Sequence, residues 1–223
     1  MPDSSNEQPD KSNEQKDPIT VTATNTSSTP STSSTPSTSS TLDDERADLL
    51  AQLATARAAL TDTTRGLSDE QAGEHPTVSA LCLGGLIKHV ASIEEGWMRF
   101  AVDGPSAMRY DLPDGVTWAD LTAGTAREFP QWAIDHQNDF RMLPGETLAG
   151  IVERYEQVAA RSEKVIASLP DLSTTHPLSE APWNEPGAVR SVRRVLMHVI
   201  AETAQHAGHA DILRETLDGQ TST

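Results

Sequence analysis

Apolar residues recur along this chain at steps of three and four, the spacing that keeps side chains on one face of a helix with about 3.6 residues per turn. Leu42, Leu49, Leu50, Leu53 and Leu60 predict a first helix running from just after Thr41 to about Arg65, with Asp43, Asp44 and Glu45 suited to the positive end of its dipole. Ser68-Asp-Glu-Gln71 reads as a capping box opening a short helical turn, and Pro76 closes that connection. Leu83, Leu86, Val90, Ile93 and Trp97 predict a second helix from near Ser79 to Val102, stopped by Asp103-Gly104-Pro105. Leu148, Ile151, Val152, Tyr155, Val158, Val165 and Ile166 predict a third over about 146–169, ended by Pro170. A fourth spans about 189–217 and stops at Asp218-Gly219. With no alternating strand pattern and no repeat in the domain, these elements predict an all-α, antiparallel four-helix bundle. The long connection between helices two and three argues against simple up-and-down order.

That connection, residues 103–146, carries Pro105, Pro113, Pro130 and Pro144 with Trp118, Phe129 and Trp132 between them. Thr117 to Leu121 and Pro130 to Asp139 read as short helical turns. A connection of this length is either a lid or wall of a site or a surface excursion pinned by its tryptophans. On helix two, Cys82, Gly85, Ser92 and Gly96 share the flank of His89. Glycine inside a helix costs roughly 1 kcal/mol relative to alanine, so these positions imply close helix packing or space kept open beside the histidine.

The fourth helix holds the chemistry. His198, Glu202, His206 and His209 share the stripe of Val195 and Leu213, so four coordinating side chains lie where a core belongs. An unpaired charge buried there costs several kcal/mol, and a divalent cation offsets it more completely than a neutral partner. Glu202 and His206 form an i, i+4 pair, and His89 is the candidate third ligand from helix two. This donor mix suits zinc, and also nickel, iron or manganese, and three protein ligands leave positions open for water or substrate. His198 and His209 compete for the third place, or orient a ligand, or act as a base. His75, His136 and His176 fall in segments read as solvated loops. Cys82 reads as core filler rather than a catalytic thiol.

Composition separates a tail from this domain. Residues 1–41 contain Ile19 and Val21 as their one aliphatic pair, no aromatic residue, and the near repeat Ser-Ser-Thr-Pro-Ser-Thr-Ser-Ser-Thr-Pro. Such a segment cannot bury enough apolar area to offset its conformational entropy and is expected to be disordered. A glycosylated Ser/Thr/Pro stalk is the competing reading of the same tract. The domain is placed at 42–219, with 220–223 as a C-terminal end. A single cysteine precludes an internal disulfide, no export signal or apolar span of membrane length is evident, and a cytoplasmic location is expected. The tail's five acids and two lysines leave −13 of the formal charge of −16 on residues 42–223. So acidic a domain, without a basic stripe, is not expected to bind nucleic acid or membranes. Monomer and homodimer both remain open.

Taken together, Glu202, His206-Ala-Gly-His-Ala-Asp-Ile-Leu-Arg214, Gly84-Gly-Leu-Ile-Lys-His89 and Leu67-Ser-Asp-Glu-Gln71 resemble the DinB-like (DinB/YfiT) superfamily. The resemblance is to its actinobacterial branch of mycothiol-dependent enzymes and covers about residues 42–219. It implies a four-helix bundle holding a divalent metal through His89, Glu202 and His206, with glutamate in the middle place as in the mycothiol-dependent maleylpyruvate isomerase. It further implies a metal-dependent enzyme that activates a low-molecular-weight thiol, mycothiol, for S-transfer to an electrophile or for thiol-assisted isomerisation. Arg214, on the flank of the same helix, is then either a partner for an anionic group of cofactor or substrate or an exposed surface residue. Two other functions fit the residues: a stress-linked metal or small-ligand binding protein without turnover, and a metal-dependent hydrolase.

Overall fold

Each of the four apolar stripes becomes a long helix in the computed structural model, which describes residues 38–221, with the side chains of 38–42 left aside. The elements in order are α1 (Thr38–Asp62), α2 (Asp69–Gly73), α3 (Leu83–Asp103) with a 3₁₀ turn at Gly104–Ala107, α4 (Trp118–Ala123), α5 (Gln131–Asp139), α6 (Leu148–Ser168), β1 (Thr175–Pro177), β2 (Val189–Ser191) and α7 (Val192–Asp218). The protein is mostly helical. The disordered tail expected over 1–41 falls almost wholly outside the described residues, and α1 already begins at Thr38.

Local chemistry sets the boundaries. Ser68 and Gln71 cap α2 reciprocally as expected, and Thr117 and Asp120 do the same for α4. The α3 helix starts at Leu83 rather than near Ser79. Ahead of it the Thr77 hydroxyl accepts from the Ser79 amide and the Ser79 hydroxyl from the Leu81 amide, bonds that divert the backbone from helical pairing. At the other end Gly104 takes φ 64°, where an added Cβ would lie 2.8 Å from His176 Nδ1. The expectation of no strands is corrected. Val189–Ser191 pair antiparallel with Thr175–Pro177, with Arg190 opposite His176, so α7 begins three residues later than its apolar pattern implied.

Each of the four long helices packs on two others: α7 on α1 and α3, and α6 on α3 and α1. Two apolar clusters stack along them. One joins Leu60, Leu86, Val90, Tyr155, Val158 and Leu213, and the other joins Leu53, Phe100, Ile166, Leu172, Val195 and Val199. Between the two, one residue from each helix is polar and buried: Arg57, Glu94, Ser162 and Thr203. Arg57 grips Glu94 with two hydrogen bonds, Nη2 to Oε1 at 2.5 Å and Nε to Oε2 at 3.1 Å, and reaches Glu163 Oε1 at 3.1 Å. Glu94 is wholly buried, so removing either charge strands the other in a low-dielectric interior. Glu94→Ala is therefore expected to cost about 3–5 kcal/mol in urea denaturation, whereas Arg57→Met with Glu94→Leu recovers most of that loss. A single substitution within 1 kcal/mol of wild type would show that the pair contributes little.

Candidate metal centre

The α3 and α7 helices bring three of the predicted ligands together. One donor atom each from His89, Glu202 and His206 lies within 4.8 Å of the other two. Glu202 and His206 approach one another along α7, Oε2 to Nε2 at 3.6 Å, as an i, i+4 pair must. From α3, the His89 ring meets that of His206 edge-on with centroids 4.9 Å apart. His89 is 4 % exposed, and its Nδ1 is buried without a hydrogen-bond partner. A buried imidazole nitrogen left unsatisfied costs free energy that a ligand to it would recover.

The other two α7 histidines flank this group. His198 Nε2 stands 3.8 Å from Glu202 Oε1, and its ring sits edge-on to Trp97 at 5.0 Å. His209 Nδ1 lies 3.4 Å from His206 Nδ1, on the opposite side of that ring from Glu202's contact with Nε2. Neither joins the close triad, and each touches one member of it.

Burial and neighbouring imidazoles push the His89 pKa down to about 3. Burial also lowers those of His198 and His206, against the opposing pull of Glu202. All three are therefore neutral at pH 7, the form that offers a lone pair to a cation.

Four donors on one helix were legible in the sequence, but the roof over His89 was not. Phe140 stacks on the imidazole at 4.0 Å with an interplanar angle of 25°. It is held there by the flank that carries the glycines. A Cβ at Gly85 would come 2.2 Å from the Phe140 carbonyl oxygen, and one at Gly84 2.5 Å from Met142 Sδ. Gly85 thus admits backbone of the long connection, and Gly84 the Met142 side chain. Cys82, buried at the N-cap of α3, places its Sγ 3.7 Å from the same carbonyl. Lys88 donates to the carbonyls of Asn138 and Arg141 and to Glu146 Oε2 at 3.2, 2.9 and 2.7 Å. A lysine on a buried helix face was the one signal available beforehand, and it sits beside His89 in the sequence.

Three expectations are corrected. Arg214 is 4 % exposed rather than a surface residue. Its five N–H groups are directed at the Thr63 and Arg65 carbonyls, both Asp218 oxygens and Gln220 Oε1, which leaves none for an anion of cofactor or substrate. His136 lies on α5, exposed but with its ring 5.5 Å from that of His89. His176 lies on β1, half-buried, with Nε2 3.2 Å from the Ala101 carbonyl. Only His75 is exposed in a loop as expected.

A cleft of about 910 Å³ has His136 and Trp97 on its walls, and none of the three triad residues lines it. These two residues connect it to the site, His136 through His89 and Trp97 through His198.

Fold and site together define a class: a helical protein with two imidazoles and a carboxylate converging from two helices. A model of the mycothiol-S-transferase family matches residues 48–219, and the chain belongs to that family, within the DinB-like mycothiol-dependent branch. A comparison with curated proteins found no match. No helix among the described residues is long and apolar enough to cross a membrane.

The depressed imidazoles make stability depend on pH in a definite direction. Below about 6.5 the unfolded chain takes up a proton at His89 that the folded chain refuses until about pH 3. Metal-free protein is expected to lose stability as pH falls across that window, and His89→Gln to flatten the slope. Urea denaturation at a series of pH values checks this, and an equal slope in the variant contradicts it.

Proposed function

We propose that the protein is a divalent-metal-dependent mycothiol S-transferase in which His89, Glu202 and His206 hold the metal. The convergence of these three donors, in a chain of this family, carries the reading. Two nitrogens and one oxygen suit zinc. Nickel, iron and manganese accept the same set. We take the four long helices, each packed on two others, as the four-helix bundle of this superfamily and residues 42–219 as its domain.

A cation at this position supplies one thing: it lowers the pKa of a thiol, near 8.5 when free, so that the nucleophilic thiolate prevails at neutral pH. The protein side chains do the rest. His209 fixes the ring orientation and tautomer of His206 through the Nδ1 contact, in the manner of an outer partner that orients a ligand. His198, neutral at pH 7 and 3.8 Å from Glu202, is placed to accept the thiol proton. Phe140 covers His89 and keeps water from that side of the site. The cleft admits the electrophile. Conjugation of electrophiles to a cytoplasmic thiol would serve detoxification.

Metal-loaded protein is expected to consume mycothiol with an electrophile at least about a hundredfold faster than chelator-stripped protein. His206→Ala is expected to retain under about a tenth of the wild-type metal, measured by mass spectrometry on folded protein. Equal rates with and without metal contradict the mechanism. Metal bound without thiol consumption points to the non-catalytic binding protein, and turnover with no thiol present to hydrolysis.

A further inference from the structure

The walls of the cleft hold an unusual share of the chain's scarce aromatic residues. The sequence has four tryptophans, two tyrosines and three phenylalanines, and Trp97, Tyr110, Trp132 and Trp183 all line this one cavity. They arrive from separate segments: α3, the connection after it, α5, and the loop between the two strands. Tyr110 stands edge-on between Trp132 and Trp183, with centroid distances of 5.2 and 5.1 Å and interplanar angles near 80°. Trp118 braces the same group from behind at 5.7 Å from Trp132 and 5.2 Å from Trp183, and the Trp132 indole N–H donates to the Asp111 carbonyl at 3.0 Å. The rings are thus fixed in place by one another and by backbone. Trp183 nevertheless remains 58 % exposed, an indole that the described residues cover only in part.

Charge narrows what would cover it. Four basic and four acidic side chains share the walls, so the cleft has no net sign. Lys88, the buried one, pairs with Glu146 at 2.7 Å, and the exposed Arg154 pairs with Glu95 at 3.4 Å. An anionic ligand reaching Lys88 or Arg154 would have to displace a carboxylate. A cation seeking an aromatic face finds Trp97 already taken by the Arg190 guanidinium, 4.5 Å above the ring. A volume of about 910 Å³ is that of a small-molecule site.

We infer that this cleft binds an uncharged ligand carrying a flat aromatic group, with Trp183 and Trp132 as the residues that select it. Assigning that ligand as the electrophile rests on the thiol-transfer reading above. The binding preference itself does not.

Equilibrium dialysis of the full chain, without metal or thiol, tests the preference with three probes: 2-acetylnaphthalene, its fully saturated decalin counterpart, and 2-naphthoate. The aromatic ketone is expected to bind about tenfold more tightly than either of the others. Trp183→Ala is expected to remove most of that advantage and Trp183→Phe to keep most of it. Trp183 is exposed, so neither variant threatens folding, and Trp132→Phe provides a second, milder change on the same wall. Equal binding of the saturated ketone, preference for the naphthoate, or indifference to Trp183→Ala would each overturn the assignment. Because neither metal nor thiol enters the dialysis, its failure removes the subsite alone. Failure of thiol consumption in the assay above removes the reaction alone.

Discussion

The site depends on the burial of one imidazole. His89 lies under Phe140 on the interior face of α3, with a ring nitrogen that no protein group satisfies. Such a nitrogen is costly to keep unsatisfied, and a carboxylate and a second imidazole on α7 each place a donor within 4.8 Å of one nitrogen of the ring. Burial also keeps the ring neutral, which is the state a cation requires. Desolvation therefore does two things at once: it makes the unoccupied ring unfavourable and the ligated one accessible at neutral pH.

The scaffold supports this with a polar layer at mid-height. Arg57, Glu94, Ser162 and Thr203 interrupt the apolar core on all four long helices, and Thr203 is the sequence neighbour of Glu202. An apolar stripe alone tolerates sliding of one helix along another. A bidentate Arg57–Glu94 pair does not, because one turn of slippage would strand two charges. The layer thus ties α1 to α3, while the Arg214 guanidinium ties the far end of α7 to the carbonyls that follow α1. Between these two fastenings the turns of α7 that carry Glu202 and His206 face α3.

The long helices were legible in the sequence because their stripes extend over five or six turns, and so were Glu202 and His206, whose four-residue spacing puts them side by side on any helix. The strands were not, since three residues are too few to display alternation and Val189 to Ser191 continue smoothly into the α7 pattern. Arg214 misled because a helix-flank position says nothing about acceptors supplied by distant backbone, here Thr63 and Arg65. The flank of Cys82, Gly85, Ser92 and Gly96 implied open space or close helix packing, whereas at Gly85 it meets the backbone of Phe140 and Arg141. The approaching partner, the backbone around Phe140, carries no periodicity from which its docking could be read. The same holds for the aromatic wall, whose members come from four segments that only the fold assembles.

The most direct test is anomalous diffraction from crystals grown with one equivalent of zinc, collected on either side of the zinc edge. The account predicts a single strong peak with His89, Glu202 and His206 at about 2.0–2.2 Å and at least one non-protein ligand. A peak elsewhere, or one coordinated without His89, would contradict it.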